Sequence, residues 1–226
     1  IRGALPGEEV VFRYLKQRST FDEGQAIEII KANAARQVPK CQHFGVCGGC
    51  DLQHASSKFQ LEYKQQALLE LLTHQAHTAP QQLLKPLCAE NWAYRRKGRL
   101  SVKYVAGKNK VLVGFREKDS HFVANLERCE ILDASVGTKL TAISELLYEL
   151  SIRHKIAQIE IAVDDTSTAL IIRNLVALPA QDREKLLQFA EEHDYKLYLQ
   201  PKGLDSVHLI YPPNGNATMR YDLNEH

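Results

Sequence analysis

Residues 8–16 (Glu-Glu-Val-Val-Phe-Arg-Tyr-Leu-Lys) and 25–31 (Gln-Ala-Ile-Glu-Ile-Ile-Lys) are β-rich runs separated by the turn Phe21-Asp22-Glu23-Gly24. Together they read as strands of a small barrel, and residues 32–39 as a linker. The pattern then predicts a helix over 57–74. Ser57 and Gln60 stand at capping-box spacing, and Phe59, Tyr63, Leu68, Leu71 and Leu72 are assigned to an apolar face packed on a sheet. Pro80 ends that helix, and 82–88 reads as extended.

The most legible hairpin joins 94–105 to 110–116 through Gly107-Lys108-Asn109. Leu100, Val102 and Tyr104 alternate with Arg95, Lys97, Arg99, Ser101 and Lys103, so period two puts an apolar row on one face and a basic row on the other. Beyond Cys129 the order is helix (134–154), strand (158–163), strand (168–174), helix (179–193), strand (196–200), strand (207–211). Strand–strand–helix thus occurs twice. That rhythm predicts an α+β sandwich, with helices on one face of a mostly antiparallel sheet, after a small β-barrel remnant. A doubly wound nucleotide-binding sheet is not expected.

Charge sharpens this picture. The net charge is only +2, yet residues 95–118 hold nine basic side chains (Arg95, Arg96, Lys97, Arg99, Lys103, Lys108, Lys110, Arg116, Lys118) against the single acid Glu117. A solvated outer face usually mixes signs; a row of one sign points to phosphate contact and a polyanionic partner. With 44% hydrophobic and 25% charged residues, a chain of this length can form a full core without covalent staples. No apolar stretch approaches the roughly 20 residues of a membrane span, and no signal peptide is expected. A cytoplasmic monomer without membrane contact is expected.

Four of the five cysteines carry the chemistry. Cys41, Cys47 and Cys50 lie in Cys-Gln-His-Phe-Gly-Val-Cys-Gly-Gly-Cys, and Cys129 follows a long folded stretch. Three clustered thiols plus one distant thiol match the four sulfur ligands of a [4Fe–4S] cubane, with tetrahedral zinc as the alternative. Gly45, Gly48 and Gly49 are expected to allow left-handed turns and close approach of amides to an anionic sulfur centre. Cys88 reads as a buried structural thiol, and His43 and His54 as surface residues. No dinucleotide fingerprint, P-loop or zincin motif occurs. An iron–sulfur electron-transfer module and a zinc-stabilised nucleic-acid-binding protein remain rival readings at this point.

The run from Cys41 to His54, Tyr94-Arg-Arg-Lys-Gly-Arg-Leu100, Gly114-Phe-Arg116 and Cys129-Glu-Ile-Leu132 resemble the bacterial 23S ribosomal RNA uracil-5-methyltransferases over essentially the whole chain. The resemblance implies that residues 1–36 are the later strands of a TRAM-type barrel. It further implies that residues 37–226 form a central RNA-recognition domain, whose cluster ligands are Cys41, Cys47, Cys50 and Cys129. A catalytic domain binding S-adenosylmethionine would follow residue 226, so no catalytic or S-adenosylmethionine-binding residue is expected in this chain. In the family a cysteine adds to C6 of a flipped-out uracil, making C5 nucleophilic toward the methyl group. Phosphate contacts to 23S rRNA fall to Arg95, Arg96, Lys97, Arg99, Lys103 and Arg116. Phe44 and Tyr94 could stack on bases, with core packing as the plainer role of each. The opening at Ile1 inside a turn, and the linker-like passage at 211–216, agree with a fragment of a longer protein.

Overall fold

The computed structural model describes residues 1–222. The last four residues assigned above to the central domain, 223–226, lie outside the described residues. The chain divides into two compact units, one made of Ile1–Gly45 with Cys50–Cys88, the other of Val46–Gly49 with Ala89 onward.

In the first unit β1 (Glu9–Gln17) and β2 (Asp22–Lys31) form an antiparallel ribbon with three register shifts. No closed barrel is present among the described residues. Tyr14, Leu15, Ile27 and Ile30 are exposed on this ribbon. Its base is fixed by one carboxylate. Glu8 accepts from Arg36 Nε and Nη2, each at 2.5 Å, from the Leu5 amide at 2.7 Å and from the Asn33 amide at 3.0 Å. The Arg36 hydrogen bonds outweigh burial and hold its carboxyl down at about 2.

The expected linker is therefore ordered. Its carbonyls and amides also pair with the segment after the cysteine loop: Gln37 N–H donates to His54 O (2.9 Å) and Ser56 N–H to Ala35 O (2.9 Å). Helix α1 (Ser57–His74) starts where the pattern places it, but the cap is Ser56, whose hydroxyl accepts from the Phe59 amide. None of its residues is buried, so the expected packing of an apolar face on a sheet does not occur. The reason is angular. At about 100° per residue Phe59 and Tyr63 lie near one another, while Leu68, Leu71 and Leu72 lie about 120–220° from Phe59. Cys88, expected to be buried, is exposed in the extended run beyond.

The second unit is a six-stranded sheet in the order β4-β3-β5-β6-β7-β8. Its strands are β3 (Lys97–Val105), β4 (Lys110–Gly114), β5 (Ile156–Val163), β6 (Thr168–Asn174), β7 (Tyr195–Leu199) and β8 (His208–Tyr211). All neighbours are antiparallel except β6 and β7, which are parallel and joined by α4 (Ala180–Glu192). The predicted helix 134–154 is broken into α2 (Ala134–Gly137) and α3 (Leu140–Glu149). On one face of the sheet Leu100, Val102, Val111, Ile159, Ile161, Leu170, Ile172 and Leu197 join Leu140, Ile143, Leu147 and Leu186 of α3 and α4 in a continuous core. Asp182 of α4 ties the turn after α3, accepting from the Ser151 amide (3.0 Å) and hydroxyl (2.8 Å) and the Ile152 amide (3.2 Å).

The opposite face is covered at one end only. After β8 the chain turns back across β7, where Tyr198 Oη donates to Ala217 O (2.8 Å) and Lys196 Nζ to Thr218 O (3.3 Å). It reaches the β5–β6 turn, where the Arg220 amide donates to Asp164 (3.3 Å). Burial alone would raise the Asp164 pKa. Hydrogen bonds from the Thr166, Ser167 and Arg220 amides and the Ser167 hydroxyl outweigh it and hold the carboxyl well below the usual range. On β3 the side chains of this face, Lys97, Arg99 and Lys103, are exposed.

Candidate functional site

Val46–Gly49 belongs to the second unit because its backbone pairs there. Lys118 N–H donates to Val46 O (2.8 Å), Gly48 N–H donates to Arg116 O (2.9 Å), and Cys47 bridges Glu117 in antiparallel fashion. Residues 116–118 also pair with 122–123, through the Arg116–Val123 bridge and a 2.9 Å bond from Glu117 N–H to Phe122 O. The strands are so close that a Cβ on Gly48 would stand 3.1 Å from Arg116 O. The glycines thus divide their labour: Gly45 takes a left-handed φ of 90°, whereas Gly48 is needed for close approach. Gly49 N–H donates to Cys47 Sγ (3.4 Å).

Cys47 and Cys129 are both partly buried against the core of the second unit. Cys129 is held by α2: its amide donates to Gly137 O at 2.8 Å. A Cβ on Gly137 would overlap Cys129 O and crowd Leu132 O, so glycine alone lets the two segments meet. In the first unit the Cys41 amide donates to Gln53 Oε1 (3.1 Å) and its carbonyl accepts from the Phe44 amide (3.1 Å). Phe44 packs on His54 with ring centroids 5.5 Å apart. His54 is only 6% exposed, contrary to its reading as a surface residue, because its carbonyl is engaged by Gln37 while its ring lies on Phe44.

The quartet therefore divides two and two, Cys41 and Cys50 in the first unit, Cys47 and Cys129 in the second. None of the five cysteines is in a disulfide. Among the described residues no group of three or more His, Cys, Asp or Glu side chains is gathered in a metal-holding arrangement. Four sulfur donors outside any disulfide, one of them facing an amide N–H, fit soft, sulfur-preferring iron or zinc chemistry rather than an oxygen-ligated cation.

The predicted basic row separates into engaged and open members. Arg95 lies 5.0 Å over the Phe115 ring and donates Nε to Lys97 O (3.0 Å). Arg96 is ion-paired with Asp165 in the β5–β6 turn, which raises its pKa further. Arg99 faces Glu160 on β5 at 2.9 Å but remains largely exposed. Lys97, Lys103 and Arg116 are exposed with no acidic partner among the described residues. Register places Lys103 opposite Leu112, and Lys97, Arg99 and Lys103 on the face away from the helices. Arg173 of β6, opposite Gln158 of β5, is on that face too and was missed by the sequence reading. Strand parity alone could have found it. Tyr94 is 56% exposed rather than packed in a core.

No helix of the described residues is long and apolar enough to cross a membrane. No family model matches the sequence. Over its whole length the chain is 43% identical to a Legionella pneumophila (strain Paris) protein named 23S rRNA (uracil(1939)-C(5))-methyltransferase RlmD, of which it covers 51%. It is 48% identical over 213 residues to the protein of that name from Nitrosococcus oceani, covering 94% of this chain and 48% of that one. The Francisella tularensis subsp. novicida protein of the same name is 45% identical over 210 residues, with 92% and 47% covered. Among solved structures, the Pyrococcus abyssi tRNA (uracil-54, C5)-methyltransferase in complex with S-adenosyl-L-homocysteine superposes with a TM-score of 0.58, covering 91% of this chain and 48% of that one. At 13% identity that likeness is one of fold. Throughout its length the chain is homologous to the proteins named 23S rRNA (uracil(1939)-C(5))-methyltransferase RlmD, and it spans about half the length of those curated relatives.

Proposed function

We propose that this chain is the RNA-recognition part of an S-adenosylmethionine-dependent 23S ribosomal RNA uracil-5-methyltransferase. In this reading residues 1–36 are TRAM-type strands and residues 37–226 are a central domain with a [4Fe–4S] cluster on Cys41, Cys47, Cys50 and Cys129. Methyl transfer belongs to a part of the protein outside this chain. These four cysteines would hold the cluster, and the chemistry it would supply is a structural tie for the loop rather than a step in methyl transfer. The protein's own residues set the loop's backbone, through Gly48 against Arg116 and Cys129 against Gly137.

The observation that carries RNA recognition is the exposed basic row of β3, Lys97, Arg99 and Lys103, on the sheet face away from the helices. Lys97 and Lys103 lack acidic partners there, and Arg99 remains solvent-facing beside them. Phosphate contacts of this kind release counterions, so affinity should fall steeply with salt. Replacing Lys97, Arg99 and Lys103 together by Glu in the full-length protein is expected to weaken binding to a single-stranded RNA and to lower the log–log salt slope by about 2. Arg96→Ala is expected to leave that slope unchanged, because Arg96 is spent on Asp165. A triple variant with the wild-type slope would remove this strand from RNA binding.

A further inference from the structure

The hairpin that leaves β4 holds one large apolar ring in solvent by an ordered turn. Phe122 is 73% exposed. Its backbone is nevertheless fixed on both sides: its amide donates to Ser120 Oγ (3.0 Å), and its carbonyl accepts from the Glu117 amide (2.9 Å). Ser120 Oγ in turn donates to the Glu117 carboxylate (3.2 Å), and Asp119 takes a left-handed φ of 60° to close the turn. Arg116 bridges Val123 below the tip, and the Ala124 amide donates to Phe115 O (2.9 Å). The backbone that carries the ring is thus pre-ordered, so only the two side-chain torsions are left to be fixed when something packs on it.

The chemistry around the ring limits the partner. The tip carries Glu117 and Asp119 as well as Arg116 and Lys118, so its charges balance and phosphate attraction alone does not define its partner. Nor is it an apolar docking patch, since Asp119, Ser120 and His121 precede Phe122. A lone aromatic face suits a partner that is itself a single flat ring. Location narrows it further. Ser101 pairs with Gly114, so the hairpin leaves the sheet at the end that carries Arg99 and Lys97.

We propose that Phe122 is a stacking platform for an unpaired nucleobase, with exposed Arg116 taking an adjoining phosphate. This rests on the RNA-recognition reading and adds the residue that engages a base. RNA-specific proteins bind splayed-out bases in this manner, with stacking on aromatics and backbone contacts beside it.

The test uses the full-length protein and two probes, a 12-nucleotide oligouridylate and a base-free ribose-phosphate oligomer of equal length. Phe122→Ala is expected to weaken oligouridylate binding about five- to hundredfold, with the salt slope and base-free binding unchanged. Phe122→Tyr is expected to restore affinity, and Phe122→Trp to restore it with quenching of the new indole fluorescence. The proposal is overturned if Phe122→Ala binds oligouridylate like the wild type, or loses both probes equally. Should the wild-type protein bind neither probe at low salt, the RNA-recognition reading falls along with it.

Discussion

Anaerobically purified protein with Cys129→Ser is expected to lose its brown colour and essentially all of its iron, while Cys88→Ser keeps both. The two substitutions are the same chemical change, sulfur to a smaller and harder oxygen. A hydroxyl stays protonated at neutral pH and is a poor ligand for iron–sulfur iron. Their surroundings differ. Cys129 is partly buried against the core and fixed by the Gly137 carbonyl, whereas Cys88 is exposed in an irregular segment. Iron analysis and visible absorption decide the matter. If the two variants retain iron equally, Cys129 is not a ligand; if tight zinc replaces iron in the wild type, the cluster assignment is wrong although the ligands stand. Gly137→Ala should act as a milder version of Cys129→Ser, because the added methyl overlaps the Cys129 carbonyl.

The second large effect is at the base of the β1–β2 ribbon. The Glu8 side chain is fully buried while that of its partner Arg36 is partly exposed, and the carboxylate collects four donors. Glu8→Gln leaves a guanidinium without its counter-charge and turns an amide NH2 toward other donors, a loss of about 2–4 kcal/mol for the first unit. The pH dependence has a definite sign. Glu8 is depressed to about 2 in the folded chain, below its unfolded value, so its stabilisation is complete above about pH 4.5 and disappears as pH falls toward 2. Glu8→Gln should remove that acid limb. The single tryptophan, Trp92, lies in the second unit, so fluorescence would miss the event. Hydrogen exchange of the β1 and β2 amides reports it directly; unchanged protection in the variant would mean that the ribbon is held by something else.

Much of this architecture was legible because it obeys short-range rules. The alternation from Lys97 to Val105 has the predicted inward and outward faces, and α1 spans the predicted residues 57–74. What escaped was set by distant partners. The 134–154 helix breaks because Gly137 must meet Cys129 and Leu132, a contact that no local propensity announces. Charge counting along the chain does not show the ion pair of Arg96, because its partner Asp165 stands 69 residues away in sequence. The packing of α1 differs for another reason: its leucines and its aromatics fall on different sides of the helical wheel. His54 looked like a surface residue until its carbonyl found Gln37 and its ring found Phe44.

The neighbouring arginines on Phe115 and Asp165 bear on any scan of this protein by substitution. Tyr94-Arg-Arg-Lys reads as one uniform run, yet only its lysine is unencumbered. A blanket swap of the three cations to alanine would sever an aromatic cap and a turn-to-strand tie at the same time. The resulting drop in affinity would then measure a sagging scaffold rather than missing contacts with nucleic acid.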